Sequence, residues 1–194
     1  FHVFTHAFFK ACLFLGAGSV MHAVHAHGDA DFKDIGGMKK WMPYTNITFL
    51  ISCLAIAGFP LTSGFFSKDA ILHGALSAGE YFEFAPWLGT AIFASLVIGA
   101  AGTAFYMFRL YFLTFTGEFR GGHGHGDHGH GHDDHGKDDH GHGHHGEPHE
   151  SEPAITIPLM LLAGGAALVG FLGMPAWMHL PDFWSEWLHG VVAG

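Results

Sequence analysis

Residues 44–67 carry no charge; Lys68 and Asp69 follow, and then a further run of mostly apolar residues to position 77. A continuous helix over residues 43–77 would be about 50 Å long at ~1.5 Å per residue. A hydrocarbon core of ~30 Å needs only about 20 residues, so one straight rod does not fit. In the middle stands Gly58-Phe59-Pro60-Leu61-Thr62-Ser63-Gly64. Pro60 removes a backbone donor and the two glycines permit turns, which predicts two half-helices joined by extended peptide. Breaks at membrane depth are tolerated only where protein or a watery cavity surrounds the bared backbone, and they point to a transport site.

The rest of the composition agrees with a membrane chain diluted by one polar insert: 49% of residues are hydrophobic and only 13% charged. The net charge of -9 is unevenly placed. Residues 118–152 hold nine acidic side chains against Arg120 and Lys137, which accounts for seven of the nine excess negatives. No basic stripe exists, which argues against a nucleic-acid partner. Cys12 and Cys53 fall inside apolar runs and read as small buried hydrophobes rather than a disulfide framework. The chain opens on Phe1-His2-Val3-Phe4 within an apolar pattern, and the expectation is a piece of something longer, without a signal peptide.

Four spanning segments are expected. The first runs from residue 1 to about 25, and in it His2, His6 and Lys10 recur every four residues, forming one polar stripe on a greasy helix. A lysine near the bilayer centre costs roughly 2.5–3.5 kcal/mol on insertion scales. The stripe is therefore expected to face protein or water; the competing reading is a snorkelling Lys10 with histidines on neighbouring carbonyls. The second is the broken helix of residues 43–77, opened by Pro43. On its later half Asp69 and His73 stand four apart, placed to pair or relay, or to make an ordinary helix-surface contact.

The third span, residues 87–115, has a small-residue side suited to close packing and one charge, Arg109, read as an interfacial anchor with Tyr106 and Tyr111. The fourth is residues 154–172, after which Pro175, Trp177, Trp184 and Trp187 mark a segment at the membrane surface, expected to be cut short. The lysines of the first loop and the basic residues of the third place both on the cytoplasmic side, with the second loop outside.

Between the third and fourth spans lies a tract of histidine, glycine and aspartate over residues 121–149 that cannot bury a core and is expected to be disordered. Its imidazoles, among them His123, His125, His128, His130 and His132, are expected to bind divalent metals weakly and without a defined site. The chain thus divides into channel helices over residues 1–115, a cytoplasmic His/Asp/Gly-rich loop over 116–153, and a last helix with an interfacial segment over 154–194. The fold class is an all-α, polytopic transmembrane bundle.

Two lysines in apolar helices are poor ligands for metal cations and suited to passing protons. An amine deprived of water can exist in both protonation states near neutrality, and histidine titrates there and relays through water. Glycine-rich dinucleotide turns and cluster-binding cysteine sets are absent from the sequence, so redox chemistry is not expected of this chain.

The stretches Thr5-His6-Ala7-Phe8-Phe9-Lys10-Ala11, Phe14-Leu15-Gly16-Ala17-Gly18-Ser19-Val20, Ile35-Gly36-Gly37-Met38-Lys39-Lys40-Trp41-Met42-Pro43, Gly64-Phe65-Phe66-Ser67-Lys68-Asp69 and Tyr106-Met107-Phe108-Arg109 stand in this order. Together they resemble the central-to-late part of the large antiporter-like subunit of respiratory complex I, NADH-quinone oxidoreductase, called subunit L in bacteria and chain 5 in mitochondria. The resemblance covers nearly everything except the His-rich tract. It implies an inverted-repeat proton channel whose second repeat contains the helix of Lys10 and the broken helix. His2, His6 and Lys10 would then belong to a central hydrophilic axis, with Lys68 toward its outlet and Asp69 as a further candidate beside it. It also implies a bacterial inner membrane, an M-type antiporter-like neighbour, and NADH, FMN, iron–sulfur clusters and quinone held by partner subunits. M-type subunits usually carry Glu where this chain has Lys68, and Mrp-type sodium/proton antiporter subunits share the His-Lys helix. An Mrp-type antiporter subunit is therefore one alternative, and a zinc transporter with a His-rich loop is another.

Overall fold

A backbone in lipid has to satisfy its own N–H and C=O groups, and each long apolar run of this chain is helical. The computed structural model describes residues 1–24, 35–80, 85, 87–119, 148–174, 178 and 181–192. Among them the main elements are α1 (His2–Ala23), α2 (Pro43–Ala57), α3 (Ser63–Ser77), α4 (Trp87–Phe115), α5 (Pro153–Leu168) and α6 (Phe183–Val192). A 3-10 turn, Val169–Leu172, prolongs α5. Among the described residues three helical runs are long and apolar enough to cross a membrane: His2–Ala23, Trp87–Phe115 and Pro153–Leu172. The break falls where the sequence places it, leaving α2 and α3 at 15 residues each.

α1 packs against α2 and α5, α2 also against α4 and α5, and α3 against α4 and α1. Phe9, Met42, Phe49 and Phe115 fill the centre of the bundle, with the Phe49 and Phe115 ring centroids 5.4 Å apart. The elements meet at two ends. At one, the Gly37 N–H donates to the Thr116 carbonyl at 3.0 Å, joining the connection before α2 to the end of α4. At the other, Gly79 after α3 backs onto Gly89 in α4, and Phe1 rests on Trp184 of α6 with ring centroids 5.2 Å apart. The first and third connections thus lie together and the second opposite, the alternation the charge pattern asks for.

Two expectations change. Tyr111 is no surface anchor: it is buried, and its hydroxyl donates to Asn46 Oδ1 at 2.8 Å, tying α4 to α2. Arg109 and Tyr106 remain exposed. The small-residue side of α4 packs closely only at its start, where Gly89 meets Gly79; among the described residues a Cβ added to Gly99 or Gly102 would meet nothing within 4 Å. Both cysteines are free and buried, as expected. The imidazoles of His123, His125, His128, His130 and His132 lie outside the described residues, as do His25, His27, Pro175 and Trp177.

Candidate functional site

The break is built from backbone chemistry. Gly58, at φ 81°, ends α2 in the left-handed region where a residue without Cβ is at ease. Its N–H donates to the Ala55 carbonyl at 3.0 Å and the Phe59 N–H to the Leu54 carbonyl at 2.9 Å, the paired pattern that closes many helices. The Ile56 carbonyl is left over, and the Lys68 ammonium donates to it. The lysine reaches back because Gly58 offers no side chain; a Cβ there would meet Lys68 Cδ at 3.2 Å. A cation at the C-terminal pole of a helix is also where the helix dipole favours it. Leu61, at φ 70°, is the one non-glycine residue with positive φ among the described residues, so the connecting peptide is strained as well as bared.

One residue before Lys68, Ser67 is buried at the contact of α3 with α1. His2 Nδ1 lies 2.9 Å from Ser67 Oγ. Thr5 Oγ1 stands 3.0 Å from Ser67 Oγ and 3.0 Å from the His2 carbonyl, and its single proton serves one of them at a time. The His2 and His6 rings follow each other along α1 at 5.8 Å between centroids. The hydroxyls of Ser67 and Thr5 and the His2 imidazole form one hydrogen-bonded cluster inside an apolar bundle, with the His6 ring next along α1 and Lys68 next to Ser67 on α3.

The predicted residues divide. His2, His6 and Lys68 come together, half-buried. Lys10 continues the stripe but stands exposed, its Nζ 5.4 Å from the centroid of the Phe14 ring. Asp69 and His73 do not pair, no ion pair or hydrogen bond joining them among the described residues. Both instead line a cleft of about 560 Å³ with Phe1, Phe66 and Asp182, at the end of the bundle where α6 lies. Sequence reasoning missed Thr5, Ser67 and the Ile56 carbonyl. The first two had a signal in being hydroxyls next to His6 and Lys68 in the sequence; the third, a backbone atom, had none. Among the described residues no group of three His, Cys, Asp or Glu is placed to hold a metal.

Residues 1–85 match the family described as the transmembrane part of NADH:quinone oxidoreductase/Mrp antiporter. The chain is 44% identical, over 90% of its length, to NAD(P)H-quinone oxidoreductase subunit 5 of the organellar chromatophore of Paulinella chromatophora and to chain 5 of a Picosynechococcus species. It is 41% identical, over 96% of its length, to NADH-quinone oxidoreductase subunit L of Neisseria meningitidis serogroup B. It spans about a quarter of the length of these relatives, 26% in each case. With three spanning helices and these relatives, it is a multi-pass membrane protein.

Proposed function

Because the chain belongs to the membrane family shared by NADH:quinone oxidoreductases and Mrp antiporters, we propose that it is part of a proton-translocating subunit of an NADH-quinone oxidoreductase. It carries protons and no electrons; NADH, FMN, iron–sulfur clusters and quinone belong to partner subunits, among them an M-type antiporter-like neighbour, in a bacterial inner membrane. The observation that carries the reading is Lys68, a single amine held on the carbonyl bared by the helix break and adjacent to the Ser67–His2–Thr5 cluster.

The chemistry follows from that contact. An ammonium makes a charge-assisted bond to the Ile56 carbonyl, and a neutral amine makes a weaker one. Loss of a proton from Lys68 therefore loosens its grip on the end of α2 as well as lowering the local charge. His2, hydrogen-bonded to the Ser67 that precedes Lys68, and His6 beside it on α1 supply or receive the proton, and Lys10 extends the stripe along α1. Asp69 and His73, in the neighbouring cleft, are the groups placed to exchange protons at the end of the bundle where α6 lies.

The test is Lys68→Ala in the complete complex reconstituted in vesicles. Proton uptake per NADH oxidised is expected to fall while the complex still assembles; uptake at the wild-type ratio removes Lys68 from the pathway. A subunit of an Mrp-type sodium/proton antiporter is the second reading, because the matched family includes both. Copurification with a quinone-reducing complex separates them. The zinc-transporter alternative predicts that excising residues 121–149 abolishes zinc flux, whereas proton pumping should survive that change.

A further inference from the structure

We propose that Glu150 loads protons at the mouth of a second polar file, made of hydroxyls rather than of the His-Lys stripe, which leads between α1 and α2 to the Ser67–His2 cluster. The proposal rests on the reading of the chain as a proton carrier and supplies an input side for it.

Glu150 precedes α5, at the end of the bundle opposite the Ser67–His2 cluster. Its carboxylate accepts from the N–H groups of Tyr44 at 2.8 Å and Thr45 at 3.2 Å, and from Thr45 Oγ1 at 2.6 Å. Behind it the chain of hydroxyls goes inward. Thr45 Oγ1 lies 3.1 Å from Ser19 Oγ, and Ser19 Oγ lies 2.6 Å from Ser151 Oγ. Ser19, Thr45 and Ser151 are all buried, while Glu150 is only partly so. The carboxylate thus touches both the surface and a hydrogen-bonded triad within the bundle. Capping α2 needs the carboxylate alone; it does not need three buried hydroxyls behind it.

The file continues at helical spacing. On α1, Thr5, Cys12 and Ser19 recur every seven residues and are all buried, a line distinct from the four-residue stripe of His2, His6 and Lys10. Seven residues amount to about 10 Å of helix rise, too far for direct hydrogen bonds. Two further buried hydroxyls, Ser52 on α2 and Ser63 at the start of α3, have no protein hydrogen-bond partner among the described residues. Buried polar groups are satisfied by protein or by ordered water. Ser63 and Ser67 are four apart on α3, which brings the second orphan hydroxyl to the turn that contacts His2 and Thr5. The two lines on α1 converge only there.

The transfer balances without a co-reactant. A proton taken up at Glu150 passes to Thr45 Oγ1, which releases its own to Ser19 Oγ. Each hydroxyl gives up one O–H bond as it forms another and then turns back, and water carries the proton across the two intervals.

Thr45→Val is the discriminating variant, since it keeps the shape and the backbone N–H that binds Glu150 while deleting the link. In the complete complex in vesicles, Thr45→Val and Glu150→Gln are each expected to lose proton uptake per NADH oxidised, with assembly retained on native gels. Thr45→Ser is expected to restore uptake, which a purely structural role for the side chain would not require. Wild-type uptake in Thr45→Val overturns the file. If Glu150→Gln fails to assemble, Ser19→Ala decides instead, because it leaves the carboxylate and its N–H partners in place; normal uptake there is equally fatal. Loss in Lys68→Ala with normal uptake in Thr45→Val sinks the file alone, whereas normal uptake in Lys68→Ala sinks the proton-carrier reading beneath it.

Discussion

At the scale of single residues, the break depends on what two positions lack and one endures. A Cβ on Gly64 would fall on the Ala55 carbonyl, so α3 can approach the end of α2 only with glycine there. Gly64→Ala is expected to cost about 1–3 kcal/mol, as overpacking does, seen as a lower thermal stability of the purified complex. Leu61 presents the opposite case: its side chain is exposed, yet its backbone sits at φ 70°. Leu61→Gly should relieve about 1 kcal/mol of left-handed strain, raising that stability, and a fall would show that the leucine side chain matters more than the strain. The type and place of Lys68 were legible in sequence, because a lysine just past a proline-glycine break has few explanations in lipid. Its partner was not, because a carbonyl belongs to every residue and only the three-dimensional turn decides which one is spare. The grip of Glu150 on Thr45 spans 105 residues of sequence and left no local trace.

Helices and their contacts were the most readable level. Proline at the start of α2, glycine at its end and the continuous apolar runs are each dictated by local chemistry, so the break and the long spans could be drawn without coordinates. What failed was the assignment of faces. Tyr111 looked like an interfacial aromatic beside Arg109, and only the docking of α4 on α2 shows that its hydroxyl is needed by Asn46. Tyr111→Phe leaves that amide oxygen without its donor and is expected to destabilise by about 1–3 kcal/mol, measurable as earlier thermal release of the subunit from the complex. No change would mean that Asn46 finds another donor. The small residues of α4 divide in the same way, Gly89 meeting Gly79 while Gly99 and Gly102 meet nothing among the described residues: composition shows that a face permits close approach and says nothing about what approaches it.

For the molecule as a whole, the decisive feature is that both shoulders of the His-rich tract are tethered to one short segment. Thr116 is bonded to Gly37, and Glu150 to Tyr44 and Thr45, so residues 116 and 150 are both held beside the same entrance to α2. A chain that departs and re-enters at neighbouring anchor points closes its loop at an entropic cost that rises by only about 0.6 kcal/mol for each doubling of length. The region between the anchors is therefore a natural place for engineering. If the chain has the proposed function, a fluorescent domain or affinity handle spliced in for residues 121–147 should leave NADH-driven proton uptake in vesicles intact, and a loss of uptake would show that the tract is needed.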